Sequence, residues 1–166
     1  MKKNVFLLLM ISTVVLILTG CPVSISYALD EPGKNSIDKN LLGTWVCDTC
    51  STFKKVEVKE GTEKNSYDIT VLEKGDSYTA EGSSFTSYVT TIGDYTFLYN
   101  LEKGTTATYY TYCYKMDGTK KVTLSDIGLL VGGTAAVTST ETYRQEVSAS
   151  MSNPRFLSSP QTFVKQ

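Results

Sequence analysis

Four cysteines, eleven tyrosines and no histidine bound the chemistry open to this 166-residue chain. Cys47-Asp48-Thr49-Cys50 has the CxxC spacing used by redox enzymes and metal sites. A redox CxxC needs a helix N-terminus behind it, whose dipole lowers the thiol pKa. Here the motif follows the strand-like Trp45-Val46 and runs into Ser51-Thr52-Phe53, where no helical pattern begins. Zinc takes four ligands, and Cys47, Cys50 and Cys113 without histidine are one short. The expectation is a structural disulfide among Cys47, Cys50 and Cys113, or three inert thiols, with no metal and no cofactor. The missing histidine also excludes Ser-His-Asp and Cys-His catalysis, histidine-held haem and a histidine pH switch. Carboxylate pairs such as Glu57 and Glu60, or Asp76 and Glu81, are what solvated strands and turns carry. No acid–base pair is nominated, and the expectation is a protein that is not an enzyme.

The conspicuous aromatic cluster is Tyr109, Tyr110, Tyr112 and Tyr114. Side chains alternate along a strand, so Tyr110, Tyr112 and Tyr114 share one face with Met116. That face is the candidate lining of a ligand pocket. Its competitor is ordinary cross-strand packing, since aromatic pairs stabilise sheets.

The N-terminus predicts export. Lys2 and Lys3 precede an apolar run from Val5 to Leu18, shorter than the roughly 20 residues a membrane-spanning helix needs. Leu18-Thr19-Gly20-Cys21 resembles the bacterial lipobox. The resemblance implies a signal peptide over 1–20 and a lipid on Cys21, hence anchoring to a bacterial membrane on its periplasmic or outer-facing side. Cleavage after Ser26-Tyr27-Ala28, giving ordinary secretion, is the alternative. Without Lys2 and Lys3 the chain carries 14 Lys plus Arg against 17 Asp plus Glu, a formal charge of −3. It has no basic stripe, so nucleic acid is not expected as a partner.

The elements that must position these residues are mostly strands. The stretch 21–40 is polar, contains Pro22, Pro32 and Gly33, and reads as a tether. Residues 41–166 form one domain rich in Tyr, Thr, Val and Ser. Strands are expected at Thr44–Cys50, Phe53–Glu60, Ser66–Glu73, Ser77–Glu81, Ser84–Ile92, Tyr95–Leu101, Ala107–Met116 and Lys120–Ile127. Gly93-Asp94, Lys103-Gly104 and Asp117-Gly118 supply turns. The glycine-rich apolar stretch 127–137 fits either a prolonged strand or a buried loop. Tyr143, Val147 and Met151 form an apolar stripe on a helix over Thr140–Met151, capped by Ser139 or Thr140, and Gln161–Lys165 returns as a last strand. The fold expected is all-β with one C-terminal helix, an antiparallel up-and-down β-barrel, with a sandwich as its rival.

Gly43-Thr44-Trp45 opening the first strand, about eight strands, a helix and a short final strand together resemble the lipocalin (calycin) plan. The resemblance extends over Leu41 to Lys165 and narrows to small bacterial lipocalin-like envelope lipoproteins of unassigned function. It implies that Trp45 closes one end of the barrel, with Lys165 as the basic side chain on its ring. It also implies a binding role: an interior that accepts a small apolar or amphipathic ligand. The alternative is a structural lipoprotein with a filled barrel that contacts envelope partners. The residues leave the oligomeric state open.

Overall fold

Val-, Thr- and Tyr-rich segments broken at glycines close into an eight-stranded antiparallel up-and-down barrel in the computed structural model, which describes residues 24–76, 79–104 and 108–166. The strands are β1 (Ser24–Ile25), β2 (Gly43–Val46), β3 (Phe53–Glu60), β4 (Tyr67–Lys74), β5 (Ser84–Ile92), β6 (Tyr95–Glu102), β7 (Tyr109–Asp117), β8 (Lys121–Ile127) and β9 (Leu157–Lys165); helix α1 (Thr140–Ser150) precedes β9. Strands β2 to β9 pair in chain order. β9 then returns to β2, with Trp45 opposite Lys165, and this pairing makes a barrel rather than a sandwich. β1 extends the edge of β7 beyond the end of β8, with Ser24 opposite Tyr110. The tight β5–β6 and β7–β8 turns each need a left-handed residue, supplied by Gly93 at φ 57° and Gly118 at φ 64°.

Two of the strand expectations need correction. Ser77–Glu81 is not a strand: residues 77–78 lie outside the described ones, and Thr79 to Glu81 form bends and turns. β4 pairs directly with β5, Thr70 opposite Ser84, and the described residues between them form the connection, in which the Gly82 amide donates to the Val71 carbonyl at 2.8 Å. The first strand ends at Val46 rather than Cys50, because Cys47 and Cys50 are joined by a disulfide that folds the chain back. The open question over 127–137 resolves into the end of β8, a loop, and a 3-10 turn at Thr134–Ala136.

Strand alternation divides the apolar residues into two cores. Trp45, Val58, Tyr67, Leu98, Tyr114 and Phe163 pack inside the barrel. On the outer face, Tyr88, Phe97, Tyr99 and Cys113 are covered by Tyr143 and Val147 of α1 and by Ile25, Ala28 and Leu29. Where the structure describes it, the stretch read as a tether is therefore packed. Leu29 is fully buried, and Asp30 Oδ2 accepts from Arg144 at 2.9 Å and from Thr90 at 2.7 Å. Tyr67 donates its hydroxyl proton to the Asp38 carbonyl. The sequence reading of a tether rested on polarity and Pro/Gly content, which do not register a salt bridge to a helix more than a hundred residues away.

Helix α1 starts at Ser139, whose hydroxyl accepts from the Thr142 amide while Thr142 Oγ1 accepts from the Ser139 amide. Its buried Glu146 holds the preceding loop. The carboxylate accepts from the amides of Val131, Gly132 and Gly133 at 2.9 to 3.2 Å and from the Ser150 hydroxyl. Burial alone pushes the Glu146 pKa up, but the three amides and the hydroxyl outweigh it and hold the group below its ordinary 4.5. A depressed pKa contributes stability above the unfolded value, and that contribution disappears as pH falls through the folded one. Glu146→Gln is thus expected to cost about 1–3 kcal/mol at pH 7, with the gap from wild type narrowing below pH 4.5. Urea midpoints at pH 7 and pH 3 check this; an equal gap at both would contradict it.

Candidate functional site: the barrel interior

The inner core does not fill the barrel. A cavity of about 450 Å³ lies among inward side chains of the strands. Trp45 and Leu41 line one end of it. The Trp45 indole N–H donates to the Leu41 carbonyl at 2.7 Å, and the Lys165 ammonium stands 5.2 Å from the ring centroid. Lys165 also donates to the Asn40 carbonyl at 2.8 Å, so its position over the ring is held from both sides. At the other end the lining comes from Thr52, Phe53 and Thr79, around the β2–β3 and β4–β5 connections, and from Ser24.

Tyr110, Tyr112 and Tyr114 all face this cavity, alternating with outward-facing Thr111 and Cys113. Met116 packs on the inner core beyond them. Strands β3, β4 and β5 contribute Val56, Ile69 and Phe85, and the neighbouring β8 contributes Leu124. The inward polar groups here are not alike. Asn100 is satisfied: it accepts from Ser87 Oγ at 2.7 Å and donates to the Tyr110 carbonyl at 2.9 Å. The Tyr112 hydroxyl makes no hydrogen bond to a described residue. Burial raises its pKa, as does the negative charge of Asp126, its register partner across β7–β8. Burial likewise pushes Tyr114 up to about 12. At pH 7 these phenols are neutral hydrogen-bonding groups on an apolar wall.

Neither Asn100 nor Asp126 was singled out from sequence. The period-two pattern of Lys121–Ile127 contains the signal, since it puts Asp126 on the face of Val122 and Leu124. A carboxylate in that position is indistinguishable from a solvated one until the barrel closes around it.

The cysteines sit away from the cavity's tyrosine wall. Cys47 and Cys50 form the disulfide with Cα atoms 5.4 Å apart. Cys113 is free and buried in the outer core, where burial pushes its thiol up to about 11. Glu57 is paired with Lys59 at 2.7 Å, and Glu81 accepts from the Lys74 amide at 3.4 Å. Among the described residues no group of three or more His, Cys, Asp or Glu is placed to hold a metal ion. None of their helices is long and apolar enough to cross a membrane. Cys21 lies outside the described residues.

The closed eight-stranded antiparallel barrel with a helix before its last strand fits a lipocalin-like fold. No protein-family model, curated protein or solved structure gives a significant match to the chain.

Proposed function

We propose that the chain is an exported, lipid-anchored bacterial envelope protein that binds one small apolar or amphipathic ligand inside its barrel. The observation that carries this reading is the unfilled interior. A volume of about 450 Å³ falls within the roughly 300–1,000 Å³ of small-molecule sites. Its wall follows the usual composition of such sites, apolar side chains with a few placed polar groups. Fold resemblance alone carries little weight here, because one fold hosts many functions.

The anchor rests on the lipobox resemblance at Leu18-Thr19-Gly20-Cys21. Ser24 lines the cavity, and the three residues from Cys21 to Ser24 span at most about 10 Å. A lipid on Cys21 therefore keeps the cavity close to the bilayer surface, where apolar ligands are most concentrated. Mass spectrometry of protein purified from its host membrane is expected to find acyl chains on an N-terminal Cys21. An unmodified chain beginning at Leu29 instead identifies ordinary secretion.

Ligand capture is tested by titration with the apolar fluorophore N-phenyl-1-naphthylamine. Saturable one-to-one binding is expected in wild type. Leu124→Trp and Val56→Trp, each placing an indole into the cavity from a half-buried wall position, are expected to weaken it at least about tenfold, a cost near 1.4 kcal/mol. Circular dichroism identifies the variants that keep the fold. No saturable binding by wild type, or undiminished binding by both folded variants, refutes the carrier reading.

A further inference from the structure

We propose that the barrel selects its ligand by head-group charge, taking a single-chain amine in preference to the matching carboxylate, with Tyr112 and Asp126 reading that head. This rests on the carrier reading above and adds the chemical class of the ligand.

Three observations converge on it. First, no described residue lining the cavity is charged, so there is no lysine or arginine in the wall to receive a carboxylate or phosphate. Second, a carboxylate stands beside the wall. Asp126 follows Val122 and Leu124 on the inward face of β8, whereas the next residue, Ile127, belongs to the outer core. It is the direct register partner of Tyr112, close enough for its charge to act on the phenol. Third, no described cation is paired with Asp126. The ion pairs among the described residues engage Asp30, Glu57 and Asp68, not Asp126. Burial raises the Asp126 pKa, and the nearby Ser159 side chain offsets this only in part. The Tyr112 hydroxyl makes no bond to a described residue.

Asp126 is a half-buried carboxylate with no ion-pair partner among the described residues, and a cationic head group beside it supplies the missing charge. An ammonium supplies the missing positive charge to Asp126 and donates to the Tyr112 oxygen, while its chain occupies the apolar wall. A fatty carboxylate brings a second negative charge to the same place, with nothing to offset it. An alcohol of equal length makes the hydrogen bonds without the charge and falls between the two.

The test is displacement of N-phenyl-1-naphthylamine from the full chain at pH 7 by dodecylamine, dodecanol and dodecanoate. Dodecylamine is expected to bind at least about tenfold more tightly than dodecanoate, with dodecanol between, the separation expected when one close charge pair turns from attractive to repulsive. Asp126→Asn is expected to collapse the amine–carboxylate difference while leaving dodecanol affinity in place. Tyr112→Phe removes one hydroxyl without changing shape and is expected to weaken both the amine and the alcohol. Equal or tighter binding of dodecanoate overturns the charge selection and leaves the carrier intact. A preference that survives in both folded variants overturns the assignment to Tyr112 and Asp126. Absence of probe binding is a different failure, that of the carrier reading itself.

Discussion

Trp45→Ala is expected to lower the unfolding free energy by about 3–5 kcal/mol, the range found when a buried aromatic side chain is truncated to alanine. Trp45 is 1% exposed and packs in the inner core with Val58, Leu98, Val122 and Phe163. It also belongs to β2, the four-residue strand through which β9 closes the barrel. Truncation removes the indole donor from the Leu41 carbonyl and leaves a void where the chain enters the sheet. Against the 5–15 kcal/mol typical of a whole domain, that loss is large. The Lys165 contact on the same ring is a smaller matter. Lys165→Met keeps the aliphatic stem and is expected to cost no more than about 1 kcal/mol, the value of a cation–π contact open to water. Urea denaturation of the two variants separates these contributions. A Trp45→Ala loss under 1 kcal/mol would show that barrel closure does not depend on the indole.

The second large effect is expected at Asp30. Its carboxylate is buried and gathers Arg144, Thr90, the Glu31 amide and Lys34. Burial raises its pKa, but the Thr90 hydroxyl, the Glu31 amide, Lys34 and Arg144 together bring it below its ordinary 3.8. Asp30→Ala is expected to cost about 2–3 kcal/mol, less than the 3–5 of a fully buried broken pair, because Arg144 keeps contact with water. The stabilisation is present above the ordinary carboxylate range and lost as pH falls through the depressed value. The structural result is as specific as the energetic one. Residues 24–38 lose their charged tie to α1 and β5, keeping only bonds such as Asn35 to the Val89 carbonyl and Arg144 to the Leu29 carbonyl, so their amides are expected to lose hydrogen-exchange protection while β6 and β7 keep theirs. Adding Arg144→Ala to Asp30→Ala is expected to cost less than the sum of the two, because both belong to one network. Strict additivity would place the two side chains in independent roles.

These two sites differ in how far they can be read without coordinates. Gly43-Thr44-Trp45 announces a large aromatic at the opening of a strand, and period-two alternation separates Tyr110, Tyr112 and Tyr114 from Thr111 and Cys113. Alternation and turn chemistry are local properties of the backbone, so all eight barrel strands β2 to β9, and α1, are legible to within a few residues. Ser77–Glu81 misleads because strand propensity states only that a segment can pair, whereas pairing needs a neighbour with a free edge. Asp30 and Arg144 lie 114 positions apart, and no local pattern links them. Their ion pair converts a Pro- and Gly-containing stretch from a spacer into part of the outer core.

By itself the amino-acid order determined that the chain is β-rich with one helix, that histidine chemistry is closed to it, and which tyrosines share a face. Only the tertiary structure decided that the sheet closes on itself, that its interior stays partly empty, and that Asp126 stands beside Tyr112. The physical reason is range. Alternation, caps and turns act over two to four residues, whereas closure, cavity volume and the placing of a carboxylate beside a phenol depend on which strands meet across the whole chain.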